Sequence, residues 1–125
     1  MEDFAIKLTD RPGELARVAT ALSRYGVNIK AVAGIAIDGQ VLVRILTDNA
    51  EAARSALTAG GIEFEGQEIL TQLLENRAGE LASVCTRLEG ARVNLRAIYL
   101  TGIVDNLVEL ALVVDDAAKA KQVLD

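Results

Sequence analysis

The sequence contains no histidine, no tryptophan, one cysteine and one proline. Without histidine the usual Cys–His and Ser–His–Asp arrangements of nucleophilic catalysis are excluded. Metal sites of thiolate or imidazole type lose their ligands for the same reason. The 18 acidic residues remain, yet no two form a recognisable acid–base pair. The single cysteine cannot make an internal disulfide, so an oxidising compartment is not indicated. Aromatic residues are only 3% of the chain, which leaves Val, Leu, Ile and Ala to build the core. The expectation is a protein that is not an enzyme and carries no cofactor and no metal.

Positive charge is also scarce. The net charge is −5 and the isoelectric point about 4.8, whereas nucleic-acid binders draw most of their affinity from clustered Lys and Arg. No nucleic-acid partner is expected. The opening residues show no basic, apolar, small-residue leader, and no apolar run approaches the roughly 18 residues of a membrane span. No membrane partner is therefore expected, and the expected location is cytoplasmic. Apolar residues make up 51% of the 125 residues and charged residues 25%, a globular composition. A chain of this size buries roughly two-thirds of its unfolded surface.

What is present is a repeat. Leu8-Thr9-Asp10-Arg11-Pro12-Gly13-Glu14-Leu15-Ala16 returns as Leu74-Glu75-Asn76-Arg77-Ala78-Gly79-Glu80-Leu81-Ala82, an offset of 66 residues. The match runs without a gap through Val18/Val84, Leu22/Leu88, Val27/Val93, Asn28/Asn94 and Ala31/Ala97. About half the positions from Leu8 to Val32 equal their partner, more than two unrelated amphipathic helices would share. The offset then slips by one, with Leu57 matching Leu124. Fixed-period self-similarity marks a duplicated structural unit, and we divide the chain at residues 1–66 and 67–125.

Each copy spells the same elements. Phe4, Ile6 and Leu8 alternate with Asp3, Ala5 and Lys7, the period of a half-buried strand. Pro12 suits a first helical turn, and Glu14 suits the positive end of the helix dipole. Leu15, Val18, Ala19, Leu22 and Tyr25 form one apolar stripe; Cys85 aligns with Ala19 and is expected to be a buried small hydrophobe. Gly26 should end the helix in the left-handed region. Val27–Ile37 resumes the period of two, Asp38-Gly39 predicts a hairpin, and Val41–Thr47 returns. Asp48 with Glu51 suggests an N-cap pair for a helix through Leu57. Gly60-Gly61 stops it, and Ile62–Glu65 predicts a short fourth strand.

The second copy predicts strand Glu68–Leu74, helix Ala78–Leu88, strand Val93–Val104, a turn at Asp105-Asn106, strand Leu107–Val114 and a final helix capped by Asp115 or Asp116. Its helix-ending glycine sits early, at Gly90. No fourth strand is predicted for it. Its first strand should then expose an apolar edge, or pair with Ile62–Glu65 across Gly66, or be covered by a second chain. Helices on one face of antiparallel strands give an α+β fold of two ferredoxin-like βαββαβ modules in tandem. RNA-binding modules of this topology stack bases on aromatic side chains of the central strands; here those positions hold Ala, Val, Ile and Leu.

Asp10-Arg11-Pro12-Gly13-Glu14-Leu15, with Val18, Leu22 and Gly26-Val27-Asn28-Ile29, resembles the signature of ACT domains, small βαββαβ regulatory modules. Asn76-Arg77-Ala78-Gly79-Glu80-Leu81 with Val93-Asn94-Leu95 resembles it too, with Ala78 in place of proline. The resemblance implies binding of a free amino acid at the interface between two such units. The ligand would lie against the loop from first strand to first helix and meet a residue near the start of the second strand. In serine-sensing members that loop reads His-Glu-Asn-Arg-Pro-Gly; Asn76 and Asn94 match ligand-contacting asparagines, while Leu74 and Leu8 depart from the histidine. In the first copy Asp10 and Asn28 hold the two asparagine places.

Physical chemistry supports the same candidates. A zwitterion needs donors for its carboxylate and acceptors for its ammonium. Free N–H groups opening the helices after Gly13 and Gly79 supply donors at a favourable dipole end. Asp10, or the side-chain oxygens of Asn28, Asn76 and Asn94, would accept from the ammonium. Each feature also has a plainer reading: Gly13 and Gly79 as turn residues, Asp10 and Asn76 as N-caps, Arg11 and Arg77 as solvated loop residues, Glu14 and Glu80 as partners of the helix dipole. Two functions fit the whole. One is a non-catalytic regulatory module, a homodimer that senses an amino acid and signals to an enzyme or regulator. The other is an interaction module that pairs subunits and binds nothing small.

Overall fold

The computed structural model describes residues Met1–Asp125. The elements are β1 (Glu2–Thr9), α1 (Glu14–Arg24), β2 (Ile29–Ile37), β3 (Gln40–Thr47), α2 (Ala50–Ala59), β4 (Glu65–Glu68), β5 (Leu70–Glu75), α3 (Glu80–Gly90), β6 (Leu95–Val104), β7 (Leu107–Val114) and α4 (Ala117–Leu124). They divide into two units, Met1–Gln67 and Glu68–Asp125. The fold is α+β, ferredoxin-like βαββαβ modules in tandem, and the second sheet has three strands.

The first unit carries a sheet of order β2-β3-β1-β4. β1 runs antiparallel to β3, from Asp3 opposite Leu46 to Thr9 opposite Gln40. Phe4, Ile6, Leu8, Val43 and Ile45 share one face of that sheet and pack on Val18 and Leu22 of α1 and Ala53, Ala56 and Leu57 of α2. The period of two meets the period of 3.6 along one core, as the sequence pattern predicts. The second unit repeats this with order β5-β7-β6: Leu70, Leu74 and Leu112 meet Val84 and Leu88 of α3 and Ala120 and Leu124 of α4.

Turn chemistry explains the element ends. Asp38 (φ 50°) and Gly39 (φ 80°) are both left-handed, as a type I′ hairpin requires. α1 ends in a Schellman motif: Gly26, at φ 67°, donates to the Ser23 carbonyl at 3.0 Å and Val27 to that of Leu22 at 3.1 Å. In the second copy the helix continues through Gly90, and Arg92 takes the left-handed place at φ 57°. Its N–H donates to Glu89, and that of Val93 to Leu88, both at 2.9 Å.

Several expectations are corrected. The fourth strand is Glu65–Glu68, not Ile62–Glu65, and it pairs with β1 in its own sheet, so it does not extend the sheet of β5. The buried stripe of α1 is narrower than the apolar pattern: Val18 and Leu22 are buried, but Leu15 is 49% and Tyr25 50% exposed, and Ala19 is exposed too. An 11-residue helix lying on a sheet touches it along one line, and here Ala21 flanks that line. Cys85 shares the outer side with Ala19 and is exposed, not buried. The cap of α2 is Asn49, which accepts from the Ala52 N–H at 3.1 Å, not Asp48; the carboxylate of Asp48 is engaged elsewhere.

Candidate functional site

The loop from β1 to α1 is fastened at its β1 end by backbone bonds. The Asp10 N–H donates to the Gly39 carbonyl at the hairpin tip (3.0 Å), and the Arg11 N–H donates to Thr9 (2.9 Å). The second copy reproduces both bonds: Asn76 donates to Asn106 (2.7 Å) and Arg77 to Glu75 (2.9 Å). Pro12 and Ala78 then lead into Gly13 and Gly79, left-handed at φ 89° and 90°. A Cβ at either glycine would meet nothing within 4 Å, so the dihedral angle is what requires glycine there.

Those glycines are the N-caps of α1 and α3, and neither helix has a side-chain cap. Asp10 and Asn76 are therefore not N-caps. First-turn N–H groups thus lack the side-chain oxygen that usually caps such an end. Glu14 sits at this positive end with its side chain 14% exposed, 3.4 Å from Arg11 and 3.8 Å from Arg17. In the second copy Arg77 lies 3.7 Å from Glu80 and 3.0 Å from Glu75. Leu15 and Leu81 are both exposed beside these loops.

Asn28 and Asn94 lie elsewhere. Each is exposed and just precedes its strand, Ile29 opening β2 and Leu95 opening β6. Both are fastened at the far end of the sheet from the loop. The Asn28 N–H donates to Asp48 Oδ1 (3.1 Å), and the Asp48 N–H returns to the Asn28 carbonyl (3.1 Å). Asn94 and Asp115 repeat the exchange at 2.9 and 3.1 Å. Between the Gly39 end and the Asp48 end runs all eight-residue β3, roughly 25 Å at about 3.3 Å per residue. Within one unit, then, Asp10–Leu15 and Asn28–Ile29 are not brought together, and neither are Asn76–Leu81 and Asn94–Leu95. A single amino acid is far too short to touch both.

Asp48 and Asp115 were missed by sequence reasoning, which saw in them only helix caps. The signal was present: they correspond at the same offset of 67 as Leu57 and Leu124. Of the surface cavities, one of about 340 Å³ reaches a candidate residue, being lined by Cys85, Arg92, Asn94 and Leu95 among others. A larger groove of about 720 Å³ follows β1 and β3 past Phe64 and includes no candidate residue.

Residues 4–55 match the family model of the ACT domain. Over that stretch the first unit is similar to an ACT domain. The second unit lies outside the matched residues and repeats the ACT order of elements as far as its second helix. No curated protein matches the chain. Among solved structures it is similar to protein BT0572 from Bacteroides thetaiotaomicron, at a TM-score of 0.88 and 20% identity, over 98% of this chain and 85% of that one. It is similar also to the ligand-free regulatory subunit of aspartate kinase from Thermus thermophilus, at a TM-score of 0.68 and 16% identity, over 98% and 87% of the two chains. The corresponding subunit from Thermus flavus gives 0.66 and 18%, over 98% and 88%. At these identities the likeness is one of fold. No helix is long and apolar enough to cross a membrane.

Proposed function

We propose that the chain is a non-catalytic regulatory module that binds a free amino acid between ACT units. The observation that carries this reading is the duplicated loop: a left-handed glycine opening a helix whose first-turn N–H groups have no side-chain cap. Such an end offers N–H donors and a positive potential to a carboxylate. The ammonium would meet the side-chain oxygen of Asn28 or Asn94. Because loop and asparagine stand at opposite ends of a unit, the two halves of the site come from different units, in one chain or in two. Asp10–Leu15 or Asn76–Leu81 would supply the carboxylate side. The similarity of fold to aspartate kinase regulatory subunits supports a role in controlling an enzyme or regulator.

The experiment is a thermal-shift screen of the twenty amino acids on the full chain. A ligand at 100 times its dissociation constant adds about 2.7 kcal/mol of stability. A shift with one or a few of them is expected. No shift with any would sink the reading and favour the interaction module, to which the exposed Ile103, Val104, Ile35 and Ile37 are suited. We further propose a cytoplasmic homodimer with ligand sites near its interface, since β5 stands at the edge of its sheet. Light scattering at tens of micromolar tests it, and a monomer with and without amino acids refutes it.

A further inference from the structure

Two neighbouring polar residues follow β3 and β7, and they divide their work in the same way in both copies. The second of each, Asn49 or Asp116, caps the next helix, accepting from Ala52 at 3.1 Å or Lys119 at 3.0 Å. The first, Asp48 or Asp115, turns its carboxylate to the backbone N–H of Asn28 or Asn94 and takes the carbonyl of the same residue with its own N–H. Just beyond each asparagine the strand pairing slips, between Ile29 and Ala31 on β2 and between Leu95 and Ala97 on β6. A bulge leaves one residue unpaired and bends its strand; the pairing resumes beyond it for one residue only, Ile29 with Thr47 and Leu95 with Val114, next to each asparagine. The aspartate closes that short strand end with two bonds at the asparagine, one from its own backbone N–H and one into its carboxylate.

From this we infer that Asp48 and Asp115 are positioning residues for the asparagine half of the proposed ligand site. Each fixes the backbone from which Asn28 or Asn94 presents its amide, without touching the ligand itself. The inference rests on the amino-acid-binding reading above. Helix capping does not explain these aspartates, because the adjacent residue already fills that role. Backbone closure at the strand end alone would need no particular side chain, yet both copies spend a carboxylate on it. A backbone held in place before binding loses less freedom on binding, and loss of that order weakens affinity by roughly tenfold.

The test uses the full chain and calorimetric titration with each of the twenty L-amino acids. Asp48→Ala and Asp115→Ala should each be compared with Asp48→Asn and Asp115→Asn, which keep the accepting oxygen. A second pair, Asp48→Glu and Asp115→Glu, keeps the charge but moves the oxygen, and serves if an alanine variant does not fold. Asn49→Ala and Asp116→Ala are the controls: they remove a helix cap and lower stability without reaching the asparagine. In at least one copy the Ala and Glu variants should weaken binding about tenfold or more, the Asn variant should bind within a few-fold of the unmodified chain, and the cap control should bind unchanged. Exchange of the Asn28 or Asn94 amide hydrogen should accelerate in the Ala and Glu variants only. If the unmodified chain binds an amino acid and every aspartate variant binds it equally, positioning is overturned while the ligand reading stands. Equal weakening by the cap controls would reduce the effect to stability and overturn it likewise. If the unmodified chain binds none of the twenty, the ligand reading fails and takes the positioning role with it.

Discussion

Thr47 is 8% exposed, and its hydroxyl is buried with no hydrogen-bond partner. It follows Val43 and Ile45 on the core-facing side of β3 and stands opposite Ile29 of β2. A buried hydroxyl that has given up water and gained nothing costs about 1–3 kcal/mol. Valine keeps the β-branched outline and replaces the hydroxyl with a methyl group. The second copy already uses it: Val114 occupies the corresponding place at the end of β7 and packs against the second core. Thr47→Val should therefore stabilise the protein by about 1–2 kcal/mol, the removed desolvation cost less some imperfect packing. Thr47→Ser should do the opposite, losing a buried methyl for about 1 kcal/mol while keeping the hydroxyl. Urea denaturation followed by circular dichroism reads both, as a higher and a lower midpoint at constant slope. Thermal midpoints should move by about 4 °C per kcal/mol. A lower midpoint for Thr47→Val would refute the reasoning, since it would mean the hydroxyl is bonded in solution.

Three other perturbations follow from the geometry. Arg92→Gly should raise stability by about 0.5–1 kcal/mol, because an L side chain at φ 57° carries roughly 1–2 kcal/mol of strain that exceeds glycine's added freedom in the unfolded chain; differential scanning calorimetry measures it. Arg44→Ala removes the cation 3.1 Å from Asp3, whose side chain is fully buried, and should cost about 3 kcal/mol, read as a lower urea midpoint. Asn94→Ala should weaken amino-acid binding by about 1–3 kcal/mol through the unmet ammonium; titration calorimetry that finds an unchanged affinity would remove Asn94 from the site.

Local chemistry was legible because its causes are local. Asp38-Gly39 predicts its own hairpin, Gly26 its own helix end, and alternation in Phe4, Ile6 and Leu8 its own buried face. The candidate loops were legible for a different reason. Duplication doubles the signal, and Gly13 and Gly79 are alike at φ 89° and 90° because the same dihedral demand recurs. Arg92 shows the limit of reading by residue type. A glycine two positions earlier drew the helix end to itself, but the tertiary frame needed the turn later and the backbone accepted an arginine in the left-handed region.

By itself the sequence determined two copies of one strand–helix–strand–strand–helix unit and their shared core positions, since periodicity and turn residues act within a few positions of themselves. Only tertiary structure decided which partner each element took. β4 adds to β1 rather than β5, because the chain after α2 returns along its own sheet. Cys85 and Leu15 face outward, because a helix on a sheet buries one narrow line and not its whole apolar arc. The two halves of the candidate site part to opposite ends of a unit, because β3 and β7 each span the full sheet between hairpin and helix. Asp48 and Asp115 turn to the asparagines, because the strands that pair there bring residues 20 and 21 positions apart within reach of a single carboxylate.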